Sequence, residues 1–126
     1  TGARVREYTA APLFMRLDRN GGHQWLIEFA VEPKGGMALF LECLDASLKR
    51  QNSDYDAKRS GGLALREPEG IVVGKGTFDQ WLRSKGKSGG QHKIPRLSNS
   101  RELIDEIMAL SLENQQSSHL EWASVE

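Results

Sequence analysis

The residues with the most chemical potential in this sequence lie between Lys85 and Leu97, in "KGKSGGQHKIPRL". Lys93 and Arg96 stand three apart around a stretch that Pro95 biases toward extended backbone. A lysine ammonium is a compact charge with three donors on a long stem, suited to reaching a phosphate or a developing negative charge. Gly86, Gly89 and Gly90 make the segment mobile, and Pro95 stiffens its far end. The chemistry on offer is electrostatic: a cation carried to a substrate's negative charge. A merely solvated basic loop is the competing reading. For Arg96, so is a salt bridge to the acidic last helix.

Other chemistries find less support. "GIVVGKGT" (70–77) and "PKGGMA" (33–38) place glycine near lysine, but neither has the glycine spacing and the Lys-Ser/Thr pair of a phosphate loop. The second reads better as a turn that starts a helix. His23, His92 and His119 are scattered, so no metal site is expected. No serine or cysteine has a partnered base at recognisable spacing. Trp25, Phe78 and Trp81 read as packing residues, because no aromatic lies within the basic loop. Cys43, the one cysteine, sits in "MALFLECL" and reads as core; it excludes an internal disulfide.

The whole chain bounds these options. Its 126 residues suit one domain with one hydrophobic core. Lys+Arg and Asp+Glu both number 17, which argues against a general nucleic-acid or membrane-surface binder. The balance is local, however. Residues 80–101 carry Arg83, Lys85, Lys87, Lys93, Arg96 and Arg101 with no acid, whereas residues 102–126 carry only acids. No apolar run could span a bilayer and no signal-peptide pattern opens the chain, so a cytoplasmic location is expected. The sequence begins at Thr1 and not at methionine, as a fragment or trimmed product would.

The elements that must position the basic loop follow from periodicity. Residues 4–17 read as strand-like pieces interrupted by Pro12, and "DRNGGH" (18–23) as a hairpin turn. "HQWLIEFAV" alternates, with Trp25, Ile27 and Phe29 on one face and Gln24 and Glu28 on the other, Leu26 being the exception, as in a half-buried strand. Met37, Phe40, Leu41, Leu44 and Leu48 form a helical stripe, and "NSD" (52–54) ends that helix or caps a second one. Ile71–Val73 reads as a buried central strand. Thr77 with Gln80, and Asn99 with Glu102, have capping-box spacing for two further helices. The first should stop near Gly86. The second should turn Leu103, Ile104, Ile107, Met108 and Leu110 inward. The fold class is α+β: a small sheet from a β-hairpin plus further strands, packed with about three helices. Residues 1–110 form the domain and residues 111–126 a polar extension or tail.

Several blocks resemble the C-terminal domain of the Gretchen Hagen three (auxin-responsive) family of acyl-acid amido synthetases. They are "HQWLIEF" (23–29), "LKRQNSDYDAKR" (48–59), "GTFDQWLRSKGKSGGQHKIPRLSN" (76–99) and "RELIDEI" (101–107). The spelling resembles bacterial members more than plant ones. The resemblance implies the mobile C-terminal lid of an adenylate-forming ligase. In that family a carboxylic acid attacks ATP to give an acyl-adenylate, and an amino acid's amine then forms the amide. It also implies ATP and Mg2+, bound mainly by an N-terminal adenylation domain of the same polypeptide, with this part alone inactive. Lys93 matches the family's Lys-Ile/Val-Pro-Arg motif and is the implied catalytic cation. Arg96, His92 and Lys87 become phosphate contacts or loop anchors. The alternative is a stand-alone module that docks an anionic partner through the same loop.

Overall fold

The computed structural model describes residues 1–15, 20–60, 64–86 and 93–125. Strand β1 (Arg4–Leu13) and strand β2 (Gly22–Val31) pair antiparallel, and β3 (Glu69–Val73) pairs parallel with β2. The sheet order is β1-β2-β3. The parallel step is made by a crossover through helices α1 (Gly36–Gln51) and α2 (Ser53–Arg59); helices α3 (Thr77–Ser84) and α4 (Glu102–Val125) follow β3. The α+β class expected from the sequence is the one found, with four helices among the described residues where about three were expected.

Strand β1 runs through Pro12 without a break, against expectation. Ala10 directs both its N–H and its carbonyl away from β2, toward Ser98 and Arg96. Pro12, two residues on, faces the same way, so its missing N–H takes nothing from the β1–β2 ladder. The glycines of the hairpin are there for close approach. A Cβ on Gly21 would lie 2.9 Å from the Leu13 carbonyl oxygen, and one on Gly22 2.8 Å from Arg66 Cγ. Asp18 and Arg19 of the expected turn lie outside the described residues.

Helices cover both faces of the sheet, and this corrects two strand expectations. On one face Leu26, Ala11 and Val73 pack with Phe78 and Trp81 of α3, Ile104 and Ile107 of α4, and Ile94. Gln24 and Glu28 point into this buried side, so β2 is not half-buried: its supposed polar face is the interior one. On the other face α1 packs its stripe, with Phe40 edge-on to Phe29 and Met37 and Leu41 close over Gly70. Strand β3 is an edge strand and not a central one, with Val72 exposed. Its run is apolar because α1 and the core flank it on two faces, not because strands flank it on two sides.

Cys43 is exposed on α1 and is not a core residue. One position short of Leu44, it falls off the stripe by about 100° of helix turn. Gly35 and Gly36, both at positive φ, form the turn that starts α1. Asn52 ends α1 and caps α2, its Oδ1 accepting from the N–H groups of Asp54 and Tyr55. Asp45, Tyr55 and Arg59 tie the two helices together: Tyr55 Oη donates to Asp45 at 2.6 Å and Arg59 donates through two nitrogens.

The Thr77–Gln80 capping box does not form. The residue before α3 is Gly76, at φ 87° with no side chain, and the Thr77 hydroxyl donates backward to the Gly74 carbonyl at 2.7 Å. Glu28 of β2 takes over, accepting from the Phe78 N–H at 3.3 Å. Helix α3 stops at Ser84, with Gly86 at φ 68°, where a stop was expected. Helix α4 begins at Glu102, two residues later than the Asn99 spacing predicts, and its backbone stays helical to Val125.

Candidate functional site

The basic segment returns to the fold at Lys93, and the next residues are fixed one after another. Ile94 is buried in the core among α3 and α4 side chains. The Pro95 carbonyl accepts from the Thr9 hydroxyl at 2.6 Å. The Arg96 carbonyl accepts from the Ala10 N–H, and the Ser98 N–H donates to the Ala10 carbonyl, both at 3.0 Å. Leu97 thereby makes a parallel bridge with Ala10, so residues 94–98 lie along the outer edge of β1. The extended stretch read from Pro95 is this strip.

Arg96 turns its guanidinium back onto β1. It pairs with Glu7, donates to the Tyr8 carbonyl at 3.3 Å and stacks 4.6 Å from the Tyr8 ring centroid. Its carboxylate partner is thus on β1 and not on the acidic last helix. Lys93 is exposed and has no ion-pair partner among the described residues. It borders a cavity of about 340 Å3 between α3 and the start of α4, together with Trp81, Leu82, Ser98, Ser100, Glu102 and Glu106. Arg96 lines a different and larger groove, of about 710 Å3, between β1–β2 and α2. The two residues that sequence spacing put together therefore face different spaces. Gly86 lies at the C-terminal end of α3, while Lys87, Gly89, Gly90 and His92 lie outside the described residues.

The other cations of the run are partly absorbed by α4. Lys85 Nζ meets Glu106 at 2.7 Å, and Arg101 meets Asp105 at 2.8 Å while also donating to Gln24 and the Pro12 carbonyl. Two of the six cations in the basic block thus pair with the acidic block, and Arg96 pairs with Glu7. Among the described residues of the run, Arg83 and Lys93 are exposed and in no ion pair. Lys93 stands directly before the fixed strip, and the cavity it borders also has Glu102 and Glu106 in its lining. Among the described residues no group of His, Cys, Asp and Glu could hold a metal ion.

Sequence reading missed the residues that hold this strip, namely Glu7, Tyr8, Thr9 and Ala10. Thr9 and Pro95 are 86 positions apart, so no local pattern joins them. The one available signal was alternation, which places Thr9 on the inner face of β1, where a hydroxyl needs a partner.

The profile of the GH3 family C-terminal domain matches residues 1–102. A sequence comparison with curated proteins finds no match. Among solved structures, the chain is similar to the AtGH3.15 acyl acid amido synthetase in complex with 2,4-DB, at 18% identity and a TM-score of 0.63, over 85% of this chain and 20% of that one. It is also similar to a second structure of a GH3.15 acyl acid amido synthetase, at 18% identity and a TM-score of 0.64, over 90% of this chain and 20% of that one. The chain spans about a fifth of the length of these enzymes. It belongs to the GH3 family and corresponds to the family's C-terminal domain.

Proposed function

We propose that this chain is the lid domain of an ATP-dependent acyl acid amido synthetase, closing over an adenylating site carried by the rest of the polypeptide. The observation that carries this reading is Lys93: an exposed, unpaired ammonium whose following residues are fixed to β1, in a chain of the GH3 family. During adenylation charge gathers on phosphate oxygens. A cation delivered there stabilises the transition state more than the ground state. ATP and Mg2+ would be held by the larger part of the enzyme, and so would the acid substrate. This domain contributes the cation and covers the site. Alone it would lack the nucleotide and acid pockets and would be inactive. Arg96, bound to Glu7 and Tyr8, suits the anchoring role better than a phosphate contact.

The test uses the complete polypeptide. Lys93→Ala is expected to reduce acid-dependent ATP–pyrophosphate exchange by about 100- to 1,000-fold, the usual cost of removing one such electrostatic group. Its thermal midpoint should stay near that of the parent, because Lys93 is exposed. Unchanged exchange in this variant would overturn the reading.

A further inference from the structure

Thr9 is a hydroxyl residue where the strand pattern asks for a hydrocarbon. It sits in β1 opposite Leu26, none of its surface is exposed, and it shares a sheet face with Ala11 and Leu26 of the core. Valine has nearly the same shape, suits a strand as well, and gives up no hydration when buried. A buried hydroxyl is tolerated when it is bonded, and this one donates to the Pro95 carbonyl at 2.6 Å. That carbonyl lies two residues from Lys93.

The bond supplies a constraint that its neighbours do not. A proline ring fixes φ but leaves ψ free. Burial of Ile94 holds the chain on one side of Pro95, and the Ala10 pairing holds Arg96 and Ser98 on the other. Holding the Pro95 carbonyl constrains that ψ, and with it the join between these two anchors. A change at that join would shift Ile94 and, with it, the root of Lys93 one residue further on.

We propose that Thr9 is the positioning residue for Lys93: through the Pro95 carbonyl it fixes where the lysine stem is rooted, and so where its ammonium can be delivered. This rests on the reading of Lys93 as the cation of the adenylating site. A displacement of about 1 Å in such a group can cost on the order of 100-fold in rate, so one hydrogen bond behind it is enough to matter.

Three variants of the complete polypeptide test this, each measured for ATP–pyrophosphate exchange and for thermal midpoint. Thr9→Val keeps the volume and removes the donor. It is expected to lower kcat about 10- to 100-fold, with KM for ATP and acid within about twofold of the parent. Thr9→Ser keeps the donor and loses a methyl, so it should recover most of the rate; both variants cost stability, one through the unpaired Pro95 carbonyl and the other through the lost methyl. A rate gap between the two that their thermal midpoints do not account for is the expected result, which a purely structural Thr9 would not give. Full kcat in Thr9→Val, or rate losses in both variants that simply follow their thermal midpoints, would overturn the inference. Lys93→Ala separates the two levels. If it is inactive while Thr9→Val is not, only the positioning role falls; if Lys93→Ala keeps its exchange, the reading of Lys93 falls and this inference with it.

Discussion

Glu28 shows how much one residue can carry in this domain. Its side chain is 1% exposed, one oxygen accepting from the Phe78 N–H and the other 3.2 Å from Arg6 Nε. Arg6 also bonds Asp79 in the first turn of α3, so β1, β2 and α3 meet at one carboxylate. Removing it in Glu28→Ala leaves the helix N–H uncapped and Arg6 with one partner fewer. The expected loss is roughly 1.5–3 kcal/mol, the range for hydrogen bonds to a charged group; a denaturant midpoint equal to the parent's would show the contact to be idle. Asp45 offers a pH-dependent counterpart. Hydrogen bonding by Arg59, opposed by desolvation and aided by Tyr55, holds its carboxyl well below the usual 3.8. A carboxylate depressed in the folded state adds stability above its unfolded value and loses it as pH falls toward the folded one. Asp45→Asn should therefore destabilise the domain at neutral pH, and the gap between variant and parent should narrow below about pH 4. A gap of constant size from pH 7 to pH 3 would mean that the charge of Asp45 contributes nothing.

At the scale of elements, the structure separates what a local pattern can foretell from what it cannot. The α1 stripe, the Asn52 cap, the stop at Gly86 and the inward residues of α4 are all written in spacings of a few residues, and all appear. The misread features depend on partners far along the chain. Glu28 looked solvent-facing because Leu26 was the one large apolar residue on its face, too little to announce that α3 would lie over it. Ile71–Val73 looked central because a strand covered by helices is as apolar as one flanked by strands. The Thr77–Gln80 box had the right spacing, but Gly76 removed the side-chain cap and Glu28 supplied an acceptor from 50 residues away. These alternatives give opposite mutational signatures. Gln80 is exposed and touches only the Asn114 amide, so Gln80→Ala should change stability by less than about 0.5 kcal/mol. Gly76→Ala places a Cβ in open space but at φ 87°, so its cost is that of the backbone alone, about 1 kcal/mol or more. Reversal of that order in urea unfolding would restore the capping box.

For the whole molecule the question is where a net charge of zero leaves its cations. The sequence puts six of them in residues 80–101 beside an all-acidic C-terminal stretch, which invites either a lid that meets phosphates or a free module that binds polyanions. Folding answers for half of that block. Lys85 and Arg101 turn to acids on α4, and Arg96 to Glu7 across the sheet edge. Arg101–Asp105 is an i,i+4 pair that spacing alone allows, but the other two were not legible from the charge order, because it takes the fold to lay residues 94–98 on β1 and α4 beside α3. A polyanion-binding face needs several unpaired cations side by side, since each phosphate neutralised adds its own increment of affinity and salt dependence. The lid proposed above needs one cation, for which Lys93 is the candidate. The chain is accordingly expected to pass through a heparin column at physiological ionic strength without retention, and to do so still after Lys93→Ala. Firm retention that salt elutes and Lys93→Ala abolishes would bring the stand-alone binding module to the front, because Lys93 would then belong to a larger cationic surface than the pairs described allow.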